Sequence, residues 1–201
     1  MRAERLQSPQ GHTLQGPLLL TPRVFGDGRG FFFESWNQRL FAELLAADGQ
    51  PQPPPFVQDN HSRSSQGVLR GLHYQLDPHP QGKLVRCVVG EIFDVGVDLR
   101  RSSATFGQWC SARLSAANQQ QLWVPPGFAH GFLSLSDAVE VLYKTTDFWT
   151  PACERAIRWD DPDLAIAWPL EALTGASPQL AAKDAEAPHF ADALAAAALF
   201  P

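Results

Sequence analysis

Two histidines, a tyrosine and several cations sit in stretches that otherwise read as β-strand. Arg70 and His73 lie in GVLRGLHYQL (67–76), Lys83 and Arg86 in GKLVRCVVG (82–90), His130 in VPPGFAHGF (124–132), and Tyr143 and Lys144 end AVEVLYK (138–144). A histidine is a base near neutral pH. A tyrosine can return a proton to a carbanion or enolate. A lysine or arginine can hold a phosphate or stabilise an oxyanion as charge develops. The set suits removal of a proton next to a carbonyl. Each residue also has a plainer reading: a satisfied strand histidine for His73, a backbone-bonded loop histidine for His130, a core or edge aromatic for Tyr143.

Other chemistries fit less well. A β-sandwich metal centre needs three or four converging ligands. The position that would complete an H-x-H pair with His73 holds Gln75, and His61 lies in DNHSRSS, which reads as a polar loop or strand edge. Ser62, Ser64 and Ser65 lack a nucleophile elbow. FGDGRG (25–30) is glycine-rich but is neither a phosphate loop nor a dinucleotide fingerprint.

The elements that must position these residues are mostly short strands. With a period of two, Leu69, Gly71, His73 and Gln75 share one face and Arg70, Leu72, Tyr74 and Leu76 the other. If Arg70 and His73 serve one pocket, the strand must bulge or twist between them, and Gly71 is the natural place. Strand-like runs separated by turn-formers continue to about residue 145, which predicts an all-β sandwich or barrel. NQRLFAELLAADG (37–49) has its leucines and phenylalanine at helical spacing before a glycine stop and predicts one helix. QPQPPPF (50–56) excludes a regular helix or central strand. We expect a catalytic domain over 1–170 and an alanine-rich extension over 171–201, a surface appendage packed on that domain with a helix from about Ala191. Asp94 and Asp98 read as parts of a buried strand pair without chemistry.

The 201 residues suffice for one domain with a sizeable core, at 44% apolar and 18% charged. The formal charge of −5 argues against general nucleic-acid binding. No run suggests a signal peptide or a membrane span. Cys87, Cys110 and Cys153 are odd in number and widely spaced. They suggest free thiols in a reducing compartment, so a cytoplasmic location is expected.

Several motifs together carry a family resemblance: GDGRGFFFESW, FVQDNHSRSSQGVLRGLHYQ, GKLVRCVVGEIFDVGVDLR, LWVPPGFAHGF, LYKTTDFW and IRWDDPDLAIAWP. From about Thr21 to Asp184 the sequence resembles the dTDP-4-dehydrorhamnose 3,5-epimerases. The resemblance implies a cupin-type jelly-roll β-sandwich with a few short peripheral helices, working without metal or other cofactor, as a homodimer with a shared active site. It implies a dTDP-linked 4-keto-6-deoxy sugar as substrate, inverted at C3 and C5. RGLH places the family's general base on His73, YK its general acid on Tyr143, and KD the carboxylate partner of the base on Asp184. Gln58, Asn60, Arg70, Lys83 and His130 match residues around the sugar and its diphosphate. Arg29, Phe32 and Glu34 match a segment that reaches into the partner subunit's site. After YKTT the family often carries tyrosines, whereas this chain has Phe148 and Trp149. The alternatives are a single-centre epimerase or ketoisomerase on a related sugar, and a non-catalytic sugar-nucleotide binding module.

Overall fold

Two antiparallel sheets face one another in the computed structural model, which describes residues 1–173 and 177–201. The strands are β1 (Arg2–Gln7), β2 (Thr13–Thr21), β3 (Phe25–Asp27), β4 (Gly30–Phe32), β5 (Gln58–Ser65), β6 (Leu69–Gln75), β7 (Lys83–Val89), β8 (Glu91–Asp98), β9 (Trp109–Ser115), β10 (Gln121–Val124), β11 (Phe128–Ser134), β12 (Ala138–Thr145) and β13 (Glu154–Ala156). One sheet has the order β1-β2-β10-β7-β12-β5 and the other β13-β6-β11-β8-β9, while β3 and β4 form a separate hairpin. This is the jelly-roll sandwich that the strand pattern and the resemblance lead one to expect.

Alternation along the strands creates three apolar layers. Val85, Val139, Val141 and Leu122 of the first sheet meet Ile92, Leu114 and Phe132 of the second in the space between them. On the outer side of the first sheet, Leu18, Leu20, Leu84 and Trp123 are covered by helix α1 (Gln38–Ala47) through Phe41 and Leu45. Asn37 caps that helix, its side chain accepting from the backbone N–H groups of Arg39 and Leu40. Each fully buried side chain of this size contributes about 1.5–3 kcal/mol.

The outer side of the second sheet is covered by the C-terminal segment. Phe190, Ala193, Leu199 and Phe200 pack with Leu69, Leu72, Tyr74 and Val97. The segment contains the short helices α2 (Ala182–Ala185) and α3 (Phe190–Ala195). It is therefore built into the core rather than appended to the surface. Its few large apolar residues supply burial that the alanine-rich composition hides.

Of the two readings open for DNHSRSS the strand edge is the one observed, and one strand at the N-terminus was not read at all. DNHSRSS belongs to β5, an edge strand paired along its whole length with β12, so His61 stands opposite Leu142. Polar residues suit an edge strand with one solvated face. The N-terminal RAERLQ forms β1, the other edge, against β2. Of the cysteines, Cys87 and Cys110 are buried and free, while Cys153 is free and only partly covered. Among the described residues no helix is long and apolar enough to cross a membrane.

Candidate active site

The face question for β6 is settled by its register. His130 of β11 pairs with His73 and Phe132 with Arg70, so two steps on β11 match three on β6. The extra residue is a bulge, and it shifts the phase of the strand at Gly71. Leu69, Leu72 and Tyr74 then all face the outer core, and Arg70 and His73 both line the cleft between the sheets. Gly71 has φ +124°, and a Cβ there would lie 2.6 Å from Gly131 Cα and 2.9 Å from the His130 carbonyl oxygen. Gly131 is equally tight, since its own Cβ would come 2.7 Å from the Arg70 carbonyl oxygen. The two glycines let the backbones touch, and that contact brings the Arg70 and His73 side chains into one cavity.

The cleft has a volume of about 400 Å³. One wall, from the second sheet, carries Arg70, His73, His130 and Glu154. The opposite wall, from the first sheet, carries Gln58, Asn60, Lys83 and Tyr143. Imidazole and phenol thus belong to facing sheets. Lys183 and Asp184 of α2 close one side, and Trp149 stands at the mouth.

His73 Nε2 lies 2.6 Å from Asp184 Oδ1. Asp184 is 2% exposed and His73 22%, so the carboxylate is hidden behind the ring and the ring meets the cleft. With Nε2 engaged, Nδ1 has no hydrogen-bond partner among the described residues. A buried carboxylate on one ring nitrogen fixes the tautomer and favours an imidazolium when the other nitrogen takes a proton.

Lys83 is buried and donates from Nζ to the His73 carbonyl oxygen at 3.1 Å. Burial pushes its ammonium down to about 8, an effect that the carboxylates of Glu154 and Asp94 oppose. Burial also raises the Tyr143 phenol above its ordinary value; the Arg70 guanidinium opposes that rise and Glu154 adds to it. Such a phenol keeps its proton until a stronger base forms nearby. Arg70 Nε donates to Ser64 Oγ at 3.2 Å, and Gln58 Nε2 donates to Asn60 Oδ1 at 2.9 Å.

Of the residues expected from the sequence, His73, Tyr143, Asp184, Gln58, Asn60, Arg70, Lys83 and His130 line this one cleft. Arg29, Phe32 and Glu34 do not. Arg29 is paired with Asp27 at 2.6 Å in the exposed β3–β4 hairpin, Phe32 is 67% exposed, and Glu34 accepts from Asn37 Nδ2 at 3.1 Å.

Sequence reasoning gave no chemistry to Asp94, Glu154 or Lys183. Asp94 was read as structural, yet its Oδ1 lies 2.7 Å from His130 Nε2, a second histidine–carboxylate pair in the wall. The available signal was a carboxylate in phase with the core residue Ile92 on one strand. Glu154 and Lys183, paired at 3.3 Å, also line the cleft. Trp149, read as a departure from the family pattern, stands at its mouth. Asp98 is occupied structurally, accepting from Arg100, Ser103 and Thr105 in the turn after β8. Among the described residues no group of three or more His, Cys, Asp or Glu side chains is placed to hold a metal ion.

Comparisons with known proteins agree with this fold. The family model described as dTDP-4-dehydrorhamnose 3,5-epimerase matches residues 12–192. A Pseudomonas aeruginosa protein named dTDP-4-dehydrorhamnose 3,5-epimerase is 57% identical over 193 residues, which is 96% of this chain and 98% of that one. The crystal structure of a Legionella pneumophila dTDP-6-deoxy-D-glucose-3,5-epimerase in complex with dTDP-4-keto-L-rhamnose superposes with a TM-score of 0.86 at 43% identity, covering 99% of this chain and 98% of that one. A 3'-monoepimerase from Streptomyces bikiniensis in complex with dTDP-quinovose has a TM-score of 0.83 at 30% identity, covering 99% and 92%. Proteins named for one-centre and for two-centre epimerisation thus share this scaffold; matched by the family model over residues 12–192 and by relatives over nearly its whole length, this chain belongs to the dTDP-4-dehydrorhamnose 3,5-epimerase family.

Proposed function

We propose that the protein inverts C3 and C5 of dTDP-4-dehydro-6-deoxy-D-glucose to give dTDP-4-dehydro-L-rhamnose, with His73 as the base and Tyr143 as the acid. The observation that carries the assignment of roles is the cleft itself, with an Asp184-backed imidazole on one sheet and a protonated phenol on the sheet opposite.

The C4 ketone acidifies the hydrogens on C3 and C5. His73 Nδ1 takes one of these protons, and Asp184 stabilises the imidazolium that forms. The electron pair of the broken C–H bond moves onto the C4 oxygen. The Lys83 ammonium is the buried cation available to hold that enolate oxygen. Tyr143 then delivers a proton to the same carbon from the opposite face, which inverts the centre. Its phenolate regains a proton from solvent, His73 releases the one it took, and the cycle repeats at the second carbon. No electrons are gained or lost overall, so the reaction calls for no redox cofactor. Arg70, His130, Gln58 and Asn60 hold the sugar and the diphosphate.

The partner in this reading is a second copy of the chain. Phe25, Phe31 and Phe32 of the hairpin are exposed, and Arg29 of the same element is exposed and does not line the cleft. A hairpin so placed suits a neighbouring subunit's site, and sedimentation of the purified chain tests for the dimer. Free thiols suit a cytoplasmic enzyme. The deciding experiment for the reaction is NMR of the 4-keto sugar in deuterated water. Deuterium at both C3 and C5 is expected; deuterium at one carbon would make this a single-centre epimerase, and none would leave a binding module.

A further inference from the structure

The two members of the His73–Asp184 pair lie on elements of very different rigidity. His73 belongs to β6, whereas Asp184 belongs to α2, a short helix with no side-chain cap. A helix this short does not hold its own shape, because the cost of fixing its backbone outweighs its few internal bonds. Its position is set by the chain on either side. Upstream, the Gln179 N–H donates to the Gly67 carbonyl at 2.7 Å, and the Leu69 N–H donates to the Gln179 carbonyl at 3.0 Å. Downstream, the Arg158 N–H donates to the Pro188 carbonyl at 2.9 Å. The residues that follow are held by Asp161, whose Oδ2 accepts from the Phe190 N–H at 2.8 Å and lies 3.0 Å from His189 Nδ1. Asp161 Oδ1 accepts from the N–H groups of Asp163 and Leu164, both at 3.0 Å, which closes the turn that carries it. This carboxylate is 1% exposed. Burial alone would raise its carboxyl, but the bonds from Phe190, Leu164, His189 and Asp163 outweigh that and hold it below its ordinary value.

The downstream anchor is tied back to His73 itself. β13 pairs with β6 so that Ala156 stands opposite His73, and Ile157 and Leu72 exchange backbone hydrogen bonds at 3.0 Å in both directions. The run from Ala156 to Asp161 therefore starts beside the base and ends on the residues that follow α2. We propose that Asp161 is a positioning residue for proton transfer: by clamping His189 and Phe190 it fixes where Asp184 meets His73. This rests on the reading of His73 as the base. The clamp itself stays clear of the chemistry, since Asp161, His189 and Phe190 do not line the cleft. Its effect falls on the rate because a displacement of about 1 Å at a reacting group costs as much as about 10²-fold. A pair held at 2.6 Å is sensitive to shifts on that scale.

The test is a double-mutant cycle on the full chain, read as steady-state kinetics with the 4-keto sugar nucleotide. Asp161→Asn keeps the volume, but its single acceptor oxygen cannot serve both the turn and the residues after α2. It should lower kcat about tenfold with KM changed less than about twofold. In the Asp184→Asn background it should add less than about twofold, because no carboxylate is left to place. The same loss in both backgrounds, a loss confined to KM, or a folded variant with kcat within about twofold of the unaltered protein overturns the proposal. A second readout needs no turnover: the His73 Nε2 proton, followed by NMR of protein labelled at histidine nitrogen. Bound to a buried carboxylate, it should resonate far downfield in the unaltered protein and shift upfield, or vanish by exchange with water, in Asp161→Asn. An unchanged resonance overturns the clamp. Should Asp161→Asn fail to fold, His189→Ala removes one bond of the clamp; it is judged by the same resonance and the same two backgrounds, with a loss of about threefold in kcat expected. The resonance is read without substrate, and deuterium exchange by the unaltered protein tests the epimerase reading, so the two can fail independently.

Discussion

Replacing Asp184 by asparagine removes one charge from behind His73 and almost no volume. The carboxylate is 2% exposed and 2.6 Å from Nε2, so solvent cannot substitute for it. A hydrogen bond to a charged group contributes roughly 1.5–3 kcal/mol, and burial puts this one at the upper end. The bond strengthens as the imidazolium forms, so its loss falls on the transition state rather than on substrate binding. Three kcal/mol is about a hundredfold in kcat. Asparagine adds a second penalty: if its amide donates to Nε2, the ring proton is driven onto Nδ1 and the base loses its lone pair. Asp184→Asn should therefore lower kcat by about 10²-fold or more with KM nearly unchanged. The assay is the initial rate of deuterium incorporation at C3 and C5 at saturating substrate, with thermal denaturation as a check on folding. His73→Ala should lose the exchange altogether while still binding the sugar nucleotide. A folded Asp184→Asn within about threefold of the unaltered rate, or a loss confined to KM, would refute the dyad.

Tyr143→Phe should keep exchange of the C3 hydrogen while net inversion falls by about 10²-fold, and an equal loss of exchange would remove the phenol as proton donor. The Lys83 ammonium, held at about 8 by burial, is the charged form below that pH, so kcat should fall as pH rises through about 8. Lys83→Met should lower the plateau and abolish that alkaline limb; a limb that survives in the variant assigns it to another group. Gly71→Ala would place a methyl group 2.6 Å from Gly131 Cα at φ +124°. It should cost about 3 kcal/mol of stability in urea denaturation, and an unchanged midpoint would show that β6 and β11 can part without loss.

The succession of short strands, the helix at Gln38–Ala47 and the residue types capable of proton transfer were legible in the sequence, because period and turn chemistry are local properties. Asparagine at the helix start and glycine after its end announce that helix without any tertiary contact. The resemblance supplied the roles of His73, Tyr143 and Asp184, which residue type alone left open.

Where the chain meets itself was decided only in three dimensions. Strict alternation puts Arg70 and His73 on opposite faces, and the bulge at Gly71 reverses that because Gly131 stands against it on the neighbouring strand. His73 and Asp184 are 111 positions apart and meet because Phe190, Leu199 and Phe200 anchor the C-terminal segment over the second sheet. Gln75 looks like an ordinary strand glutamine until β12 brings Phe148 and Thr150 to its amide. A sequence fixes what each residue can donate, accept or bury, but a partner far along the chain is chosen by how the sheets pack.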